Sequence, residues 1–206
     1  MSTCLYFDCG ISDRWQYPVK GVEAPPQTQP FLTRLSWILD DGESDPLHEE
    51  CHLVEVPLGV VGGRLVSLHG VMESFMRTVG IADKIVAYGW RHHRGVLDHT
   101  LSYRLGWPLP AWPEHGCAMI GAVKLARHEE EVRGRNNNIT VWPPRRANQF
   151  IAFEEAARRF SKPLHLEATF DPVLAGYERV WVVRDLWLKF EALPSQASGG
   201  GGGVAA

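Results

Sequence analysis

Long apolar runs, paired cysteines and an excess of one charge are all missing from this sequence, and each absence removes a class of function. No stretch of about 18 apolar residues occurs, so no transmembrane helix is expected. Residues 1–8 have neither the charged start nor the apolar stretch of a secretory signal, and a soluble intracellular protein is expected. The four cysteines, Cys4, Cys9, Cys51 and Cys117, include no Cys-x-x-Cys pair, which argues against a disulfide scaffold or structural zinc finger. Lys and Arg number 21 against 24 Asp and Glu, a formal charge of −3. No strong overall field therefore draws the molecule to nucleic acid or anionic lipid, and any such attraction has to come from a local patch.

What is present suits one domain: 206 residues, 45% of them apolar, are enough for one core and too few for two full-sized domains. The domain is expected over residues 1–194. Residues 195–206 contain five consecutive glycines and no large side chain, and are expected to form a flexible tail. Apolar runs at 5–7 and 32–39, with Leu35, Trp37 and Leu39 in alternation, predict two strands. A turn at Asp40-Asp41-Gly42 and a third strand over 51–56 complete an antiparallel meander. Residues 85–87 predict a strand that leads into a helix over about 94–105. Further helices are expected over 119–127, 148–160 and 172–190. Strands first and helices later, with a strand-to-helix unit between, give an α/β fold: a central mixed sheet flanked by helices.

The order of elements and several short motifs resemble the proofreading-type 3′–5′ exonucleases, the DEDD family of the ribonuclease H-like fold. That family opens on a strand carrying Asp-x-Glu. Here Leu5-Tyr6-Phe7-Asp8-Cys9-Gly10 has the Asp, with Gly10 in place of the Glu. Residues 30–41 match the second strand of the family, and His69-Gly70-Val71 is similar to its His-Gly-Ile turn. The second catalytic motif aligns without a gap on residues 86–97, where His93 stands in the place of a metal-binding Asp. The third corresponds to Leu166-Glu167-Ala168-Thr169-Phe170-Asp171. Its Asp is kept, Leu166 takes the place of the general base, and His165 lies one position early.

The resemblance implies a ribonuclease H-like fold and a candidate catalytic set of Asp8, His93, His165 and Asp171, with Asp8 and Asp171 as metal ligands. Phosphodiester cleavage with two divalent cations about 4 Å apart needs several hard carboxylate ligands, and two of the expected four are replaced by Gly10 and His93. A neutral imidazole is a poor ligand for magnesium and an acceptable one for manganese or zinc. The expected cofactor is thus magnesium or manganese if the centre is active, and none otherwise. Each residue also has a structural role open to it. Asp8 can accept turn amides, Asp171 can cap a helix that begins with Pro172, His93 can belong to a basic loop with His92, and His165 can be exposed or packed in the core.

A five-residue pattern, His48-Glu49-Glu50-Cys51-His52, matches the zinc-protease form His-Glu-x-x-His. Val54-Glu55-Val56-Pro57 follows at once and favours a strand, in which His48 and His52 are expected to stand well apart. Between residues 133 and 159, Arg133, Arg135, Arg145, Arg146, Arg158 and Arg159 face only Glu154 and Glu155, and Trp142 lies among them. Arg133, Arg135, Trp142, Arg145 and Arg146 form a candidate nucleic-acid patch, because arginines contact phosphate and an aromatic ring stacks on bases. The alternative is an ordinary basic helix face and loop.

Three functions follow as expectations. The first is a nucleic-acid-associated binding or accessory factor with a degenerate two-metal centre, partnered by single-stranded nucleic acid or a replication or repair protein. The second is an active metal-dependent exonuclease with rearranged ligands. The third is a protein-interaction module on the exonuclease scaffold.

Overall fold

The computed structural model describes residues 2–16, 24–43, 45–55, 65–137, 151–161 and 171–194. Six strands form one mixed sheet: β1 (Cys4–Ile11), β2 (Leu32–Asp40), β3 (His48–Val54), β4 (Leu65–Val66), β5 (Lys84–Ala87) and β6 (Glu114–Cys117), in the order β4-β3-β2-β1-β5-β6. The pairs β1–β2 and β2–β3 are antiparallel, so the expected meander is present. β5 lies parallel to β1, and β6 parallel to β5. The helices are α1 (Leu68–Val79), α2 (Trp90–His99), α3 (Ala118–Asn137), α4 (Phe153–Phe160) and α5 (Pro172–Glu191). No helix of the described residues is long and apolar enough to cross a membrane.

Both faces of the sheet are covered, and strand alternation decides which side chain goes where. Leu5, Phe7 and Cys9 of β1 join Leu35, Trp37 and Leu39 of β2 in a core shared with α1 and α2. Tyr6, Ile38 and Val86 point the other way, into a core with α3, α4 and α5. Burial on both sides explains the successive apolar residues at Leu5-Tyr6-Phe7 and Trp37-Ile38-Leu39.

The structure revises several expected bounds. β3 starts three residues before the predicted strand, at His48, and is followed as far as Val54; Val56 lies outside the described residues. The helix expected over 94–105 is α2, which begins at Trp90 and is continued by a single π-helical turn, Thr100–Arg104. α3 runs ten residues beyond the predicted 127. His69, Gly70 and Val71 form no separate turn; they lie in the first turn of α1, whose amide at Gly70 donates to Ser67 Oγ at 3.2 Å. Residues 195–206 and 148–150 lie outside the described residues.

Two features of this layout create the candidate site. β5 stops at Ala87, opposite Phe7, so Asp8 is the first residue of β1 with no strand on that side. The chain then turns through Gly89, whose φ of +87° is open to glycine at little cost, and α2 enters the gap with His93 one turn in. From the other face α5 settles close on the sheet because Gly176 presents no side chain: a Cβ there would meet Cys51 Sγ at 2.5 Å and Ser36 Oγ at 2.6 Å.

Candidate functional site

The gap beside β1 holds a buried cluster of charge. Asp8 is 1% exposed, and its Oδ2 accepts from Arg34 Nη2 at 2.9 Å and Arg179 Nε at 3.1 Å. Oδ1 makes no hydrogen bond, and His93 Nε2 stands 3.8 Å from it. β2 supplies Arg34, α5 supplies Arg179 and α2 supplies His93, so three elements from both faces of the sheet meet at one carboxylate. Arg179 is itself steadied by α4, lying 4.0 Å above the Phe153 ring with Nη1 3.5 Å from Glu154 Oε1.

The electrostatics follow from burial and these partners. Burial pushes the Asp8 carboxyl up, but Arg179, His93 and Arg34 outweigh it and hold Asp8 below the usual carboxylate range. His93 is driven down to about 4, mainly because burial disfavours its charged form and despite the pull of Asp8. At neutral pH the imidazole is therefore uncharged, and the two guanidiniums carry the compensation. His93 packs edge-on against Phe7 at 5.6 Å, and its Nδ1 lies 2.9 Å from Cys9 Sγ. Burial, followed by the Asp8 charge, pushes the Cys9 thiol well above its ordinary value, so Cys9 and His93 form a neutral hydrogen-bonded pair with no activated thiolate.

The cluster joins two of the residues singled out in the sequence, Asp8 and His93. Asp171 stands elsewhere. It is exposed at the start of α5, where its Oδ1 accepts from Val173 N at 2.8 Å and Leu174 N at 3.4 Å. Eight residues, about 12 Å of helix, separate it from Arg179, and it is Arg179 that reaches Asp8. A side chain at Gly10 would have little room, since a Cβ there would lie 3.3 Å from both Arg34 Cβ and Thr33 Oγ1.

His165, Trp142, Arg145 and Arg146 lie outside the described residues. Arg133 is exposed on α3, and Arg135 belongs to the same helix. The positive surplus expected there is reduced by its neighbours: Arg159 pairs with Glu129 at 2.9 Å, and Glu130 and Glu131 precede Arg133 by less than one turn.

The His-Glu-x-x-His pattern is a strand. His48 and His52 stand on either side of Glu50 on one face of β3, and each Nε2 lies 2.5 Å from one of its carboxylate oxygens. Ser74 of α1 donates to the same carboxylate at 3.0 Å. Among the described residues no group of three or more His, Cys, Asp and Glu side chains is arranged to hold a metal ion.

No family model and no curated protein matches this chain. The site therefore has to be read from its own geometry. What sequence reasoning missed was Arg34, Arg179 and Cys9. A signal exists for the arginines: each sits at a position that alternation or helical spacing turns inward, Arg34 two residues before Ser36 and Arg179 beside Val180, where a charge requires an opposite charge.

Proposed function

We propose that this chain is an exonuclease-type, nucleic-acid-associated protein whose two-metal centre has become an internal ion-pair cluster, acting as a binding or accessory factor without hydrolysis. The sheet supports a ribonuclease H-like reading: an antiparallel meander with two parallel strands added beside β1, and Asp8 at the strand end where they diverge. The observation that carries the loss of hydrolysis is the pair of guanidiniums on Asp8 Oδ2. They put two positive charges where divalent cations would have to stand.

The residues present do not fit a pair of magnesium ions. Among the described residues Asp8 supplies the one buried carboxylate of the site, one of its oxygens is already shared by two guanidiniums, and the other has an imidazole 3.8 Å away. A metal would have to displace Arg34 and Arg179 and bring its charge close to theirs. Any nucleic-acid affinity then rests on the candidate patch of Arg133, Arg135, Trp142, Arg145 and Arg146, of which Arg133 is exposed on α3.

The test is hydrolysis of end-labelled single-stranded DNA and RNA with magnesium, manganese or zinc, comparing the wild type with Asp8→Ala. The expected result is the same background for both; metal-dependent release of nucleotides that disappears in the variant would overturn the proposal. Single-strand affinity measured against salt tests the binding half. It should fall as salt rises and drop further in Arg145→Ala/Arg146→Ala; negligible, salt-independent binding by both proteins would refute it.

A further inference from the structure

The sheet ends at β6. Its one neighbour is β5, and among the described residues no strand lies along its outer edge. An edge strand turns backbone N–H and C=O groups outward and so offers a template for a further strand, unless charges or a covering element guard it. The ion pair on this edge sits at the start of β6, where Glu114 lies 3.4 Å from Lys84 of β5. The far end, Gly116 and Cys117, has no charged side chain of its own.

A groove of about 720 Å³ opens at that unguarded end. Strand alternation sends His115 and Gly116 to opposite faces, and an indole meets each of them. Trp90, at the start of α2, stacks on the His115 ring at 4.9 Å with the planes 16° apart. On the other face Trp187 of α5 fills the space a side chain at Gly116 would need, since a Cβ there would lie 2.5 Å from its Cη2. The apolar wall continues from Trp187 to Phe190, their ring centroids 5.3 Å apart, and to Ile120 of α3, which is 52% exposed. A lone exposed isoleucine is ordinary; this one lines a groove beside an open strand edge.

The charged side chains of the lining have one sign. Arg91 and Lys124 belong to it, both exposed, and no Asp or Glu does. Lys124 Nζ is held 4.9 Å from the centre of the Phe190 ring, one helical turn, about 6 Å, after Ile120. The complement is an occupant with apolar side chains and carboxylates. A second copy of this chain fits poorly, because edge-to-edge pairing would set one cationic groove against another. A fatty carboxylate would use the wall and the charge but leave the strand edge unpaired. An extended acidic peptide uses all three.

We propose that an extended, acidic segment of a partner protein docks on this groove and adds a strand to β6, its apolar side chains against Ile120 and Phe190 and its carboxylates beside Lys124 and Arg91. The assignment does not rest on the exonuclease-type reading, because Asp8, Arg34 and Arg179 take no part in the groove.

Fluorescein-labelled heptapeptide pools, in which Val, Ile and Phe alternate with Asp and Glu, test it by anisotropy on titration with the full chain. Control pools carry Lys for the acids, or the same residues sorted into an acidic and an apolar block. The alternating acidic pool should bind with millimolar or tighter affinity, at least about tenfold better than either control, and more weakly as salt rises. It should also shift the backbone amide resonances of Gly116 and Cys117. Ile120→Asp and Lys124→Glu, both at exposed positions, should each weaken it about tenfold with the thermal midpoint kept. A docked strand pairs through every second residue, so N-methylation of one alternating set of peptide amides should abolish binding and of the other set should not. Equal binding of the three pools, no loss in either variant, or no binding at millimolar concentration would overturn the proposal. So would sedimentation showing a wild-type dimer that Ile120→Asp dissociates, which assigns the face to a second copy. Decanoate that shifts Gly116 and Cys117 where the acidic pool does not would likewise overturn it in favour of a lipid.

Discussion

Replacing Asp8 by alanine separates an ion-pair anchor from a metal ligand by the sign of its effect on stability. In a cluster of metal-binding carboxylates the apo protein suffers mutual repulsion, and deleting one acid relieves it. Here, among the described residues, Asp8 is the only buried acid of its cluster; Glu154, which also pairs with Arg179, is exposed. At an effective dielectric of about 20, each contact near 3 Å represents on the order of 5–6 kcal/mol of gross attraction, much of it offset by burying the carboxylate. Removing the acid takes the carboxylate from Arg34 and leaves Arg179 with Glu154 alone, and breaking a buried pair typically costs about 3–5 kcal/mol. The lower end applies because the Arg34 and Arg179 side chains keep 16% and 28% of their exposure and regain some water. The expected loss is about 3 kcal/mol, a fall in Tm of roughly 6–12 °C for a chain of this length. Urea unfolding followed by far-UV circular dichroism reads the free energy, and calorimetry reads the midpoint. An Asp8→Ala protein as stable as wild type, or more stable, would refute the anchor reasoning.

Three further outcomes follow from the same geometry. His93 titrates at about 4 in the folded protein and near its ordinary value of 6.5 when unfolded. Its contribution is therefore complete above pH 6.5 and lost as the pH falls toward 4, about 3 kcal/mol in all; unfolding at pH 7.5, 5.5 and 4 should show this slope in wild type and a shallower one in His93→Gln. Asp171→Ala should cost about 1 kcal/mol through the lost cap of α5, Asp171→Asn almost nothing, both read by urea midpoint. Gly176→Ala should destabilise by about 1–3 kcal/mol despite alanine's better helix propensity, because the new methyl pushes α5, and Arg179 with it, away from β2 and β3; a stabilised variant would contradict the close approach.

The parts of the fold legible in the sequence are those decided by near neighbours. β1, β2 and β3 announce themselves by apolar runs broken at Gly10 and Asp41-Gly42, and α5 by Asp171-Pro172 ahead of a helical apolar pattern. α1 carries a usable signal in Val71, Met72, Phe75 and Val79, obscured by the reading of His69-Gly70-Val71 as a turn. β6 carries almost none: Glu114, His115 and Gly116 are poor strand residues, and pairing with β5 makes them a strand. The site divides the same way. Asp8 and His93 stand out as departures from a motif, whereas Arg179 gains its meaning from a partner 171 residues away.

That separation has a consequence in time. At about 5–20 residues per second, a ribosome adds Arg179 roughly 10–30 s after Asp8. Through this interval Arg34, 26 residues after Asp8, is the one of the two guanidiniums already made. The sheet face destined for α5 stays wet, and the acid on it keeps solvent from being squeezed out. A chain cut short before residue 179 lacks the second guanidinium that compensates the buried acid.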